Sequence, residues 1–345
     1  MSIAISVDRK HLFGDIWGGF AAMLVALPSA IAFGVTIFSP LGSEFGARGA
    51  LAGMLGVAVL GLIASLIGKT QRLISAPCAP AAAILSALTI QMNQQGMGFS
   101  SILLTLFLVV IISSILQVVF GLLQIGKLIR YMPFTVVSGY LSGVGLIIIL
   151  SQLPKWLALP KDVKLLPGLE DPSLWQVPSV IVGLVTAVMM LLGPKISQKV
   201  PAVIQGLLAG MGTYFLLAFT IMPDLLTLTN NSFVIGHLTA SSDGIADTIL
   251  SPWKSFGGVT LPSYSQIFIP AITLAVLLSI DTLKTCVVLD ALTGSRHNSN
   301  RELIGQGFGN LVATLLGGIP GAGTMGATLV NKASGGNTHH SGIFQ

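Results

Sequence analysis

Eight stretches of mostly apolar residues, each about 18 or more long, recur near 16–38, 48–68, 98–125, 132–151, 176–193, 201–222, 266–290 and 302–318. No other feature constrains the fold as tightly. A run of that length matches the hydrocarbon thickness of a bilayer, and in lipid every backbone N–H and C=O must find its partner within the protein. The expectation is an all-α, polytopic membrane protein. Two further apolar segments, near 73–91 and 320–334, are short and interrupted by Pro and Gly, bringing the expected membrane elements to ten.

Composition agrees. Only 8% of the 345 residues are charged and 53% are hydrophobic, whereas a soluble domain carries about a quarter charged residues. The 40 glycines suit close helix packing in lipid. The net charge of +5 is not gathered into a basic cluster, so no nucleic-acid partner is expected. Cys78 and Cys286 both fall inside apolar stretches, and no disulfide framework is implied. The first apolar run is too long for a signal peptide and lacks a small-residue cleavage pattern, so it reads as the first span.

The basic residues orient the chain. With the N-terminus inside, the inner segments hold Arg9, Lys10, Lys69, Arg72, Lys127, Arg130, Lys195, Lys199, Arg296 and Arg301. The outer segments hold Arg48, Lys155, Lys161, Lys164 and Lys254. That asymmetry follows the positive-inside rule, against which only the three-lysine loop 152–174 runs. The longest polar interval, about 223–262, lies outside on this reading and divides seven elements from three, as a boundary between repeats does.

The two broken segments occupy corresponding places, each third in its half. One reads Ile74-Ser75-Ala76-Pro77-Cys78-Ala79-Pro80 and the other Gly317-Gly318-Ile319-Pro320-Gly321-Ala322-Gly323-Thr324-Met325. Short, Pro/Gly-interrupted spans at matching positions point to a binding site between inverted repeats. A helix that starts at mid-membrane leaves its first N–H groups unpaired, and with the positive end of the macrodipole these make an anion site without a cationic side chain. The bland alternative is a pair of ordinary Gly/Pro kinks.

Asp281, Lys284 and Thr285 lie deep in the span 266–290. Ionisable residues at such depth are costly and are candidates for function. Asp281 and Thr285 are four residues apart, so a carboxylate and a hydroxyl share one helix face and could serve a hard cation such as Na⁺, or the acid could carry a proton. Equally, Asp281 and Lys284 could neutralise each other, Lys284 could snorkel to the interface, and Thr285 could bond its own helix backbone. In the polar loop 290–303, Asn300 or Ser299 is expected to cap the next helix, with Glu302 near its N-terminus. No catalytic triad and no metal cluster stands out among the five histidines; Asp290 with His297 is the nearest to a clustered polar pair, and an enzyme is not expected.

These residues resemble the SulP family, the sulfate-permease-type anion transporters, across essentially the whole chain. The marks are Ala26-Leu27-Pro28 through Ala32-Phe33-Gly34, the Ile74–Pro80 stretch and Val136-Val137-Ser138-Gly139. Ser279-Ile280-Asp281, the Arg296–Asn310 stretch, and Gly317–Gly323 followed by Asn331 complete them. The resemblance implies seven plus seven inverted elements, with a core domain moving against a gate domain. It divides the chain into 1–127 (core, first part), 130–222 (gate, first part), the extracytoplasmic loop 223–262, and 263–345 (core, second part). It places the anion against Cys78 and Ala79 from the third element and Gly323, Thr324 and Met325 from the tenth, with Phe33 beside them. It assigns Asp281, Thr285 and Gly323 to a coupling ion, Na⁺ or a proton, with no other metal and no cofactor.

The chain also departs from its relatives. Cys78 stands where many have Thr, the hydroxyl of the tenth element sits at Thr324 rather than at the Met325 position, and Ala327 stands where animal exchangers carry Arg. Four more elements and a cytoplasmic STAS domain usually follow the place where this sequence stops, so the fold is expected to be truncated after element ten. The expected function is secondary transport of a small inorganic anion, sulfate first and bicarbonate second, across a bacterial inner membrane, with a homodimer possible. The rival from another class is a non-transporting membrane fragment.

Overall fold

The computed structural model describes residues 9–42, 45–131, 165–197, 202–227 and 264–345, with scattered positions between 135 and 163, at 200, and between 231 and 253. In chain order the main elements are α1 (Arg9–Phe38), α2 (Gly46–Gly68), β1 (Ser75–Pro77), α3 (Ala79–Gln94) and α4 (Phe99–Leu122). There follow α5 (Val177–Ile196), α6 (Ala202–Thr220), α7 (Tyr264–Thr293), α8 (Ser299–Leu315), β2 (Gly321–Gly323) and α9 (Met325–Ala333). Within the described residues, α1, α2, α4, α5 and α7 are long and apolar enough to cross a membrane. The span expected at 132–151 and the loop expected at 223–262 fall largely outside the described residues.

The chain divides into two compact units, residues 1–130 with 238–345, and residues 131–237. In the second, α5 and α6 pack through small residues: a Cβ on Gly210 would lie 2.2 Å from Thr186 Oγ1, and one on Gly206 2.3 Å from Met190. Gln205 closes their turn by donating to the carbonyls of Ser197 and Val200. Large apolar side chains such as Leu191, Leu208 and Phe219 stay exposed on this pair. That is the expected surface of helices solvated by lipid rather than water.

In the first unit, glycines decide how the helices meet. α1 and α2 cross so closely that a Cβ on Gly34 would lie 1.8 Å from the Gly49 carbonyl, and one on Gly53 2.2 Å from that of Ala30. α8 carries glycines on two faces. Gly305 and Gly309 turn to α2, at Gly68 and Leu60, while Gly307 turns to α4 at Ser114 and Val118. Without a hydrophobic driving force in lipid, such backbone-to-backbone approach is what holds helices together.

Two expectations need correction. Asn298, not Ser299 or Asn300, caps α8: its backbone is extended and its side chain accepts the Arg301 N–H at 3.1 Å. The helix therefore begins one residue sooner, with Ser299 already inside it. Nor does α1 begin at the apolar run. It reaches back to Arg9, and in this added stretch of about two turns Asp15 is buried.

Asp15 has work to do there. Its carboxylate accepts the N–H groups of Asn337 (2.7 Å) and Thr338 (2.9 Å) and the Thr338 hydroxyl, fastening the segment after α9 onto α1. Arg72 holds the same segment through the Gly336 carbonyl and Asn337 Oδ1. The His339 ring lies tilted against that of His340 in this strap, and its pKa lies below the ordinary 6.5 through partial burial first, then through its neighbours His340 and Lys69. A depressed histidine favours the fold above its ordinary range. As pH falls through about 6.5, the unfolded chain takes up a proton that the folded strap resists, and stability declines. Thermal unfolding in detergent should therefore show a lower Tm at acid pH, and His339→Gln should flatten part of that slope. An unchanged slope in the variant would remove His339 from this account.

Candidate functional site

The two broken segments meet. β1 and β2 form an antiparallel ladder, Ser75 opposite Gly323, Ala76 opposite Ala322 and Pro77 opposite Gly321, and all six residues are buried. Among the described residues this is the departure from an all-helical fold, and it has a local cause. Pro77, Pro80 and the glycines interrupt the helix, and the backbone groups so freed must bond to something in the interior. Each strand becomes the other's partner. Gly321 is indispensable because a Cβ there would fall 2.0 Å from the Ala76 carbonyl.

A helix leaves each strand. Cys78, extended, precedes α3, and Thr324, also extended, precedes α9; neither side chain caps its helix. Thr324 N–H donates to the Ile74 carbonyl at 2.8 Å, one step past the ladder. Ile74 and Cys78 are four residues apart in extended chain, so the two helix starts lie roughly 13 Å apart at about 3.3 Å per residue. That is well inside two helix diameters of ~10 Å each. Two uncapped N-termini, each worth about half a positive charge, thus flank one short ladder.

The expected residues distribute around this crossing as follows. Cys78 is buried. Ala79, Thr324 and Met325 are half-buried at the helix starts. Phe33 packs on the apolar cluster that contains Cys78 and Ala322. Gly323 is buried in β2, and its N–H donates to Thr282 Oγ1 at 3.0 Å, which ties α7 to the ladder. Asp281 Oδ1 pairs with Lys284 Nζ at 2.5 Å, both side chains being almost fully buried. Thr285 gives its hydroxyl proton to the Asp281 carbonyl at 3.0 Å. The ion pair and the backbone bond anticipated as alternatives are both present, on the same helix face as the carboxylate.

Several residues of the crossing were not anticipated from sequence. Asn310 on α8 grips Gly321 with both ends of its amide, accepting the N–H at 2.8 Å and donating to the C=O at 3.0 Å, and it donates to Gln117 of α4 as well. Thr328 accepts the Ile74 N–H, and Gln306 donates to Ser75 Oγ at 2.6 Å. A signal for Gln117 and Asn310 existed: amides inside apolar helices seldom occur without a partner. What they bond could not be read from their positions.

At the end of α7 a second polar group closes a turn. His297 Nδ1 meets Asp290 Oδ2 at 2.7 Å and its Nε2 meets Ser299 Oγ at 2.9 Å. The order of groups is that of a hydrolytic triad, but Ser299 opens α8 and is buried, and the His297 N–H also bonds Asp290. This arrangement fastens α7 to α8.

Comparison with known proteins places this geometry. The Sulfate permease family matches residues 12–345. The bicarbonate transporter BicA of Picosynechococcus sp. is 33% identical over 352 residues, covering 100% of this chain and 58% of the relative. BicA of Synechocystis sp. is 31% identical, covering 100% of this chain and 57% of that protein. The chain thus spans less than two thirds of the length of these relatives. The solved transmembrane domain of a cyanobacterial BicA superposes with a TM-score of 0.71 at 31% identity, covering 98% of this chain and 80% of that one.

Proposed function

Because the chain belongs to the sulfate permease family, we propose that it binds a small inorganic anion at the β1–β2 crossing, as the substrate-holding part of a secondary transporter. The observation that carries this reading is the meeting of two uncapped helix N-termini at one buried ladder. Backbone N–H groups of α3 and α9 supply the donors, Thr324 adds a hydroxyl, and Phe33 and Met325 bound the site with apolar surface.

The substrate is bicarbonate in preference to sulfate. Both curated relatives above are named bicarbonate transporters. Charge supports the same choice. The Asp281–Lys284 pair is neutral overall, Ala327 brings no cation, and two helix ends offer about one positive charge in all. That balances a monovalent anion and leaves a divalent one half-compensated. The driving force comes from a Na⁺ or proton gradient. The Asp281 carboxylate and the Thr285 oxygen suit a hard cation, provided that Lys284 yields its place on the carboxylate. The protein lies in the inner membrane with its N-terminus inside, on the strength of the Lys/Arg asymmetry.

Equilibrium binding of radiolabelled bicarbonate and sulfate to the purified chain tests the reading. Bicarbonate is expected to bind saturably and to be the tighter ligand, and Thr324→Val to weaken it about fivefold, the value of one lost hydrogen bond. Saturable binding of sulfate alone would reverse the substrate; no saturable binding of either would overturn the site.

A further inference from the structure

Twenty-one residues after Asp281 the chain buries a second acid. Glu302, in the first turn of α8, is 1% exposed. The helix N-terminus favours a carboxylate there, but the side chain does more than answer the dipole. Oε2 accepts the Thr70 hydroxyl at 2.5 Å and Oε1 accepts Gln306 Nε2 at 3.0 Å. The same Nε2 donates to Ser75 Oγ at 2.6 Å, and Ser75 stands opposite Gly323 in the ladder. Gln306 is fully buried, with its Oε1 unpartnered. The amide turns its donor end to the bridge, reaching both the Glu302 carboxylate and the Ser75 hydroxyl.

The backbone makes room for this chain. A Cβ on Gly68 would fall 2.4 Å from Glu302 Oε2, and one on Gly305 2.6 Å from the Gly68 nitrogen. The end of α2 and the start of α8 are thus bare where the carboxylate lies. The link crosses 232 residues of sequence at Thr70–Glu302 and 231 at Gln306–Ser75, so it joins the turn after α2 to β1 through α8.

From this geometry we infer that Glu302 is a positioning residue for the anion site, holding β1 in register through Gln306 and Ser75. It touches no ligand. The inference rests on the proposed site, and it deepens that reading by naming what sets the position of one of the two half-helices. The hydrogen bonds themselves, not the charge, transmit the effect. A glutamine at 302 can still accept from Gln306 and present its amide to the Thr70 oxygen, so the bridge survives the loss of charge.

The test uses the purified full chain, with bicarbonate affinity read by equilibrium binding and β1 geometry read independently by reaction of Cys78 with a small maleimide, followed by peptide mass spectrometry. Cys78 is 4% exposed and should react slowly in the parent. Glu302→Ala and Gln306→Ala are each expected to weaken binding about fivefold and to speed Cys78 modification, with the double variant no worse than either single one. Glu302→Gln should stay within about twofold of the parent in both measurements. Multiplying effects in the double variant, or a Glu302→Gln as impaired as the alanine, would overturn the inference. So would unchanged Cys78 reactivity in Gln306→Ala, a variant that keeps the carboxylate. If the parent binds no anion, the Cys78 measurement still decides the role of Glu302, and the failure then belongs to the site reading alone.

Discussion

Asp281→Asn is expected to destabilise the protein by about 3–5 kcal/mol, because it takes the neutralising carboxylate from a buried Lys284 ammonium. The pair is made at 2.5 Å with both side chains nearly excluded from solvent, so neither charge has bulk water to fall back on. Adding Lys284→Met removes the buried positive charge and should restore most of the lost stability, since a buried ion pair contributes little against a packed apolar replacement. Function separates from stability at that point. If Asp281 also serves a coupling cation, the double variant folds and inserts normally, yet its anion binding no longer responds to Na⁺ or to pH. The measurement is thermal unfolding together with bicarbonate affinity, with and without Na⁺, for the parent, the single variant and the double variant. A double variant that keeps the parent's cation response would confine Asp281 to neutralising Lys284. Thr285 is then left to the backbone bond it already makes.

The second large effect is expected at the ladder. Gly321→Ala sets a methyl 2.0 Å from the Ala76 carbonyl oxygen and 2.6 Å from the Pro77 nitrogen, both backbone atoms that cannot step aside. The strands must part, and with them the two helix starts; anion binding should fall by more than about tenfold, the equivalent of ~1.4 kcal/mol. Asn310→Ala reaches the same place from the other side. It leaves the N–H and C=O of Gly321 without their side-chain partner and takes the donor from Gln117 Oε1, all in a buried setting. A loss of about 1–3 kcal/mol for each unsatisfied group follows. Gly212→Ala serves as the control, since its added Cβ meets nothing within 4 Å. In a helix that change should be neutral or favourable by up to about 1 kcal/mol. Equal damage from the control and from Gly321→Ala in thermal unfolding would show that the crossing has no special demand for glycine.

How much of this was legible in advance follows from what each feature depends on. The helices of the first unit were readable because bilayer thickness sets the length of an apolar run, and that length is a property of consecutive residues. The break points were readable for a similar reason: Pro77, Pro80, Gly321 and Gly323 act on their own backbone. Even the meeting of the two broken segments could be expected, from their matched position and the need of freed backbone groups for a partner. The acid at Asp281 announced itself by its burial cost in a long apolar span.

What the sequence left undecided concerns partners. Asp281 could have faced a cation, a proton or Lys284; the three-residue spacing on α7 permits the ion pair, and the folded structure shows it made, at 2.5 Å and almost fully buried. The need for Gly321 comes from the register of the ladder, which sets it opposite Pro77 and against the Ala76 carbonyl, where Asn310 of α8 also bonds it. The roles of Thr282 and Glu302 rest on hydrogen bonds that span 41 and 232 residues. Even the α8 cap turned on one residue, Asn298 rather than its two neighbours: the backbone is extended at 298, just after the His297 N–H that bonds Asp290. A run of apolar residues carries its preference within itself. A buried polar group has several acceptable partners, and the tertiary structure selects among them by bringing one within about 3 Å.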